Sequence, residues 1–441
     1  MPAGRRFTAG GVLAASFAAA TGLAVALRPT LGILGLTAAG AALIGVLYPV
    51  SLVALMYVAM LFDRLGVTGL NIDQFPITAS KLSVLGGLGL WAAHVLLRGA
   101  RPVRWHPVLA ALVGVVIATA VSIALANCMQ QGKYDLAGLA MMVVLVAFVH
   151  AVLAEARLEP LYRFLAGTLL AICAFSLAPT GGGRATGTFG DPNEWGTMLL
   201  LLGPTLLGGL AEDRHPVARP LRVLLLLLAP VMILRTGSRS ALVVGCLAAP
   251  AWIALLRRHR GELGASLAAA AIASPFAIGL DSAWQRLRQL FLNLQGLAVV
   301  PDPSLEERTE LARQGWALFF DRWLLGAGPG TFPEATGFIS STGTLRPAHN
   351  TYLQIACEQG LLGLTVFAVL AGIVVLTLRR AWRTARDPAA RSRVLGVSIG
   401  LASLALMAAT LGLLTFSMAY LVLGLALAVC DQAEANRVLP G

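Results

Sequence analysis

The sequence predicts an all-α polytopic membrane protein of about twelve (12–14) transmembrane helices, with one large loop late in the chain. Three observations carry that reading. Hydrophobic residues make up 57% of the 441, charged residues only 12%, and the mean hydropathy is +0.79; a water-soluble globule of this length has too little interior to hide such a composition. Apolar runs close to the roughly 20 residues that cross a bilayer recur along the whole length. The basic residues divide unevenly between the segments joining those runs.

In chain order the apolar runs lie at 9–27, 30–48, 50–62, 81–97, 107–126, 136–155, 160–178, 195–211, 221–234, 240–256, 264–280, 361–378, 394–410 and 412–430. Helices are required, because unpaired backbone amides are too costly in lipid. Fourteen is the upper count. The runs at 50–62 and 221–234 are short and 394–430 is one continuous apolar block, so twelve spans satisfy the pattern equally. The opening stretch through Leu27 has the form of a secretory signal, but its apolar run is longer than a signal core and further spans follow at once, which favours an uncleaved first span. Residues 1–441 therefore form a single polytopic domain, and 281–360 is its large loop. The five cysteines are scattered, odd in number and without ligand spacing, defining neither a disulfide framework nor a metal site.

Orientation follows from the basic residues. With both termini cytoplasmic, the inner segments carry "RGARPVR" (98–104), "ARLEPLYR" (156–163), "EDRHPVARPLR" (212–222), "RRHR" (257–260) and "RRAWRTARDPAARSR" (379–393), which with both termini hold 20 Lys and Arg. The outer side receives 13, six of them in 281–360, where the rule has little force; without that loop the ratio is 20 to 7. The net charge of +12 is mostly this asymmetry, and no nucleic-acid partner is needed to explain it.

Three segments on the outer face carry unusual polar residues. "TGGGRATGTFGDPNEWG" (180–196) combines glycines, which let backbone approach a ligand, with Arg184 and with Asp191 or Asn193 as cap of the next span. A glycine-rich loop before a helix start can present amides to phosphate; the plainer reading is an interfacial turn with Arg184 snorkelling to headgroups. "LRTGSRSALVV" (234–244) has Arg235 and Arg239 four apart. If that turn is helical both lie on one face and can clamp one anion; otherwise they sit on headgroups at a hairpin tip. The third segment is the long loop. Ser304 and Glu307 form a capping-box pattern ahead of an amphipathic helix to about Phe320, whose Leu311, Trp316, Leu318, Phe319 and Trp323 suit a helix on the membrane or over a cavity. "GAGPG" (326–330) ends it, and Asn350 starts a further helix after Arg346 and His349.

The order "GTFGDPNEWG", "TGSRSAL", "GAGPGTF" and "HNTYLQIACEQGLLGL", from about 180 to 364, resembles the O-antigen ligase and polymerase superfamily of bacterial envelope proteins. The last motif is the most specific; the first third of the chain has none of comparable weight. The resemblance implies a metal-independent, GT-C-like membrane glycosyltransferase of about twelve helices with a periplasmic loop, in the bacterial inner membrane and without a cofactor. It implies an undecaprenyl-pyrophosphate-linked glycan as donor. The acceptor would be a sugar hydroxyl of the lipid A core for a ligase, or the end of another lipid-linked repeat unit for a polymerase. A protein acceptor is a further member of the same set. Arg184, the 235–239 segment and His349 correspond to residues associated with activity, Arg346 lies beside them, and Asn193, Asn350 and Tyr352 take supporting places.

The chemistry asks for the same residue types. Displacing undecaprenyl pyrophosphate needs positive charge on the departing pyrophosphate and a base for the attacking hydroxyl. Arginine forks (Arg184, Arg235, Arg239, Arg346) match the first and a histidine, His349, the second. The first outer loop, 28–30, has no carboxylate to hold a metal. In-line attack inverts the anomeric centre. The alternative for His349 is that it caps the helix at Asn350 or packs in the loop. A lipid or glycan transporter also needs many spans and buried arginines, but neither repeats nor broken spans favour it.

Overall fold

The computed structural model describes residues 47–62, 79–98, 105–177, 184–255, 303–339 and 345–435, with short pieces at 44–45, 71–72 and 75–76 and scattered positions between 259 and 295. The predicted span 9–27, and most of 30–48 and 264–280, lie outside the described residues. Contacts divide the chain into two units, Met1–Val53 with Leu85–Arg101 and Ala54–Val84 with Pro102–Gly441. In the first, Leu52 and Leu90 pack against Gly45. The candidate site belongs entirely to the second.

The helices are α1 (Pro49–Leu61), α2 (Ala79–Arg98), α3 (Pro107–Ala126), α4 (Met129–Leu153), α5 (Glu159–Phe175), α6 (Pro192–Leu210), α7 (Ala218–Thr236), α8 (Arg239–Leu255), α9 (Pro303–Asp321), α10 (Phe332–Thr336), α11 (Thr351–Thr384), α12 (Pro388–Ala408) and α13 (Ser417–Ala435). Among the described residues, five are long and apolar enough to span a membrane: α3, α4, α11, α12 and α13. The chain is thus a helical membrane protein. The short run at 221–234 extends in both directions into the 19 residues of α7, with Pro230 inside it, whereas 50–62 stays a 13-residue helix, α1. That is about 28 Å against about 20 Å at 1.5 Å per residue. The apolar block 394–430 divides between α12 and α13.

Local signals fix the starts. Asp191 accepts from the amides of Asn193 and Glu194 with Pro192 at the first helical position of α6, and Asp387 does the same for α12 ahead of Pro388. Gly237 closes α7 in the left-handed conformation (φ 57°) that glycine adopts without steric cost.

α6 is the central helix. Every residue from Trp195 to Leu210 is buried, as its unbroken apolar character requires. It packs on α12 through a seam of small residues, and Gly396 and Gly400 make this a GxxxG contact. A Cβ on Gly208 would lie 2.8 Å from the Gly396 Cα, and one on Gly400 would lie 2.4 Å from the Leu201 carbonyl oxygen. At one end of this unit, arginines of the basic segments are paired with carboxylates. Arg222 donates through Nε and Nη2 to the two oxygens of Glu262, each at 2.8 Å, and Arg163 meets Asp213 at 3.0 Å. Arg393 pairs with Glu159, and Arg380 with Glu434 at 3.1 Å. The candidate site lies at the opposite helix ends.

Candidate active site

At that end α5 and α7 terminate and α6, α8 and α11 begin. The loop before α6 is zipped onto the end of α7: Ala185 donates its amide to the Arg235 carbonyl at 2.9 Å, and Arg184 donates Nε to the Thr236 carbonyl at 2.8 Å. Packing extends the joint, since Gly196 of α6 lies against Thr236 and Ala241. Arg184 and the 235–239 segment, its bonded partner Thr236 52 residues away in sequence, therefore form one unit.

Arg235 and Arg239 do not share a helical face. Gly237 ends α7 between them, and Ser238 opens α8 by accepting the Ala241 amide at 3.3 Å. The condition under which two arginines four apart clamp one anion is thus not met; they flank a helix break. The Arg235 guanidinium reaches back to the end of α5, donating Nη1 to the Leu177 carbonyl at 3.0 Å and the Ser176 carbonyl at 3.4 Å. Its Nε is buried without a hydrogen-bond partner. Arg239 is half-buried at the first position of α8.

The long loop builds the other half. α9 is amphipathic as its pattern predicts. Leu311 is fully buried against Phe332, Ala348, Leu353 and Cys357, and Leu318 and Phe319 pack beside them. Trp316, Phe320 and Trp323 instead stay half or more exposed, a row of aromatics suited to a membrane interface. The segment "GAGPG" and the "EQG" of α11 are two sides of one backbone junction. Ala327 and Gly328 donate their amides to the carbonyls of Cys357 and Glu358, both at 2.8 Å. α11 breaks at Gly360 (φ 63°, ψ −156°), where Leu361 and Leu362 donate to Trp323 and Leu324. A Cβ at Gly360 would meet the Leu324 carbonyl carbon at 2.5 Å, so close approach as well as conformation demands glycine.

This junction and the small core around Leu311 hold the head of α11. Asn350 caps it through Oδ1, which accepts from Tyr352 at 3.0 Å and Leu353 at 3.1 Å. His349 precedes it with φ 48°, a left-handed conformation costing a non-glycine residue about 1–3 kcal/mol, of the kind that clusters at functional sites. Its ring is not the helix cap, because Asn350 has that role. The ring is half-buried, and its electrostatic neighbours are Arg308, Glu307, Arg346 and Asp191. Burial pulls its pKa below the ordinary 6.5; Arg308 and Arg346 add to that effect while Glu307 and Asp191 oppose it. Burial and the two arginines thus favour the neutral ring, the form that can accept a proton. Arg346 forms an ion pair with Glu307, Nε to Oε1 3.0 Å, bent away from hydrogen-bond alignment.

Asp191 links the halves: it caps α6 and also acts on the His349 ring. Asn193 is half-buried in the first turn of α6. Tyr352 points elsewhere, donating its hydroxyl to the Ala405 carbonyl of α12 at 2.7 Å. Sequence reasoning missed Glu307, Arg308 and Asp191 as surroundings of His349. A capping pattern accounts for Asp191 locally, whereas Glu307 pairs with Arg346 within a helix that already begins at Pro303, and nothing in the sequence shows that α9 folds onto the head of α11.

A comparison with curated proteins gives no match. Residues 223–368 match the family model described as O-Antigen ligase, a range that runs from α7 through the loop into α11 and contains Arg235, Arg239, Arg346 and His349. The match covers about a third of the chain and supports the resemblance to the O-antigen ligase and polymerase superfamily.

Proposed function

We propose that the chain is an inverting, metal-independent glycosyltransferase. On this reading it moves an O-antigen glycan from undecaprenyl pyrophosphate to a sugar hydroxyl of the lipid A core, at the periplasmic face of the inner membrane. One observation carries the reading: His349, with Arg308, Glu307, Arg346 and Asp191 around it and a left-handed backbone, stands at the head of a membrane-spanning helix. His349 accepts the proton of the acceptor hydroxyl as its oxygen attacks the anomeric carbon. The bond from that carbon to the pyrophosphate oxygen breaks, and its electron pair leaves with the pyrophosphate. Arg184, Arg235, Arg239 and Arg346 receive the developing negative charge, the work for which guanidinium forks are suited.

A groove supports a lipid-linked donor. About 650 Å³ of apolar space runs between α11, α12 and α13, from Tyr352 to Arg379 and Trp382. Beyond the break at Gly360 its α11 wall runs from Leu364 to Trp382, roughly 27 Å at 1.5 Å per residue, comparable to the ~30 Å hydrocarbon thickness. An ordinary acyl chain occupies one leaflet, whereas a long isoprenoid can follow such a groove.

The lipopolysaccharide of a deletion strain tests the reading against its neighbour in the same superfamily. Loss of a ligase leaves bare core while lipid-linked polymer accumulates. Loss of a polymerase leaves core bearing a single repeat unit, and that result would transfer the proposal to polymerisation.

A further inference from the structure

The apolar groove between α11, α12 and α13 has two unlike ends. Its lining holds four hydroxyls, those of Thr351, Tyr352, Ser398 and Tyr420. All four are spent on backbone, donating to the carbonyls of Leu411, Ala405, Val394 and Leu414 at 2.6–2.7 Å. No lining residue is acidic. The end away from the candidate site carries Arg379 and Trp382. Arg379 is the one charged residue of the lining, and it has no ion pair or hydrogen bond to any described residue.

The surroundings leave that charge uncompensated. Three carboxylates on adjoining helix ends are engaged elsewhere: Glu434 with Arg380 at 3.1 Å, Asp431 with His150 at 2.8 Å, and Asp387 with the amides of Ala389 and Ala390. A second cation stands close, because the Arg391 guanidinium lies over the Trp382 ring, 5.9 Å from its centre. Arg379 and Trp382 are three apart on α11 and so share a face.

This combination selects the ligand. An isoprenoid tail ends in hydrocarbon and gives Arg379 nothing to bind, so a lipid-linked donor does not account for this end. A phospholipid supplies both parts, a phosphate for the guanidinium and an acyl chain for the groove. Its net charge must be negative, since the ammonium of a zwitterionic headgroup would meet two arginines while the three carboxylates are already engaged. The lengths agree. From Ala371 to Trp382 the α11 wall is roughly 17 Å at 1.5 Å per residue, about half the ~30 Å hydrocarbon thickness. One acyl chain fills that half, and the half toward Thr351 stays open to an isoprenoid.

We propose that the Arg379 end of the groove binds an anionic phospholipid of the leaflet opposite the candidate site, its phosphate on Arg379 and one acyl chain lying along α11. The site stands independently of the glycosyl-transfer reading.

Native mass spectrometry of the full chain in detergent, titrated with phosphatidylglycerol or phosphatidylethanolamine of matched acyl chains, tests this. Phosphatidylglycerol should fill one site saturably and at least ~10-fold more tightly, the range for a hydrogen bond to a charged group. Arg379→Gln should abolish that preference, and Arg379→Lys, which keeps the charge, should retain part of it. Arg386→Ala removes the same charge from the same basic segment outside the groove and should leave the preference unchanged. If Arg379→Gln fails to assemble, Trp382→Ala decides, with an expected weakening of about 3-fold. Equal binding of the two lipids, a preference that survives Arg379→Gln, or an equal loss with Arg386→Ala overturns the proposal. Undecaprenyl phosphate or inorganic phosphate in excess should leave the bound phosphatidylglycerol in place; displacement by either would give the Arg379 end to another phosphate and overturn it as well.

Discussion

His349 is held by its backbone as much as by its ring. With Asn350 already capping α11 and a left-handed φ of 48° at position 349, asparagine is the substitution that separates structure from chemistry, because it tolerates that conformation. His349→Asn should assemble normally while transfer falls ~10²–10⁴-fold, the range for loss of a general base. Size-exclusion profiles read beside turnover would show this. In the wild type, transfer limited by chemistry should decline as pH falls, because protonation removes the base. The midpoint should lie below 6.5, since burial and Arg308 lower the pKa, and the variant should lack that inflection. Arg184 allows a similar separation. It donates Nε to the Thr236 carbonyl and remains half-buried. Lysine keeps its charge but not the fork, so Arg184→Lys should insert normally and transfer poorly; full activity would make it a headgroup anchor. At this scale the sequence was eloquent about residue type. It could not show that Arg235 caps the end of α5, a contact 58 residues distant, or that Arg235 and Arg239 flank a break.

Among the elements, α11 carries the most consequence. Its first nine residues support the site, Gly360 breaks the axis, and the remainder enters the apolar groove. The break is stabilised by the 323–328 backbone, which takes hydrogen bonds from Leu361 and Leu362 and gives them to Cys357 and Glu358. Gly360→Ala meets both obstacles at once: φ of 63° and a 2.5 Å approach to Leu324. It should destabilise the protein by about 1–3 kcal/mol or more, visible as a lowered midpoint in thermal unfolding followed by tryptophan fluorescence. An unchanged midpoint would mean that the junction is not a fixed part of the fold. Most spans were legible from apolar runs alone, because lipid leaves the backbone few options; 107–126 agrees with α3 at both ends. The junction was not legible. Two glycine motifs 30 residues apart look like independent turns until α9 is folded onto α11.

The larger unit is organised by its two ends. Arginines of the basic segments meet carboxylates at one end, and the candidate site occupies the other. On the proposed function the site end is periplasmic, the side that the charge ratio of 20 to 7 outside the long loop favours. In a protein whose native cysteines are replaced, an impermeant thiol reagent added outside should label a cysteine at Ser341 and spare one at Arg386; the reverse would turn the site toward the cytoplasm. The large loop was legible as a loop, and its amphipathic helix as a helix. Its role as the wall that brings Glu307, Arg308 and Arg346 around His349 depends on packing among Leu311, Phe332 and Leu353, which has no signature in sequence spacing.

Transfer by the purified protein tests the central claim most directly. Full-length chain in detergent, given undecaprenyl-pyrophosphate-linked glycan and lipid A core, with EDTA present throughout, should produce glycan-bearing lipid A core. His349→Asn should reduce that product ~10²-fold or more while still binding the lipid pyrophosphate through the arginines. No product from well-folded wild-type protein, product that appears only with added magnesium or manganese, or undiminished transfer by His349→Asn would contradict the account.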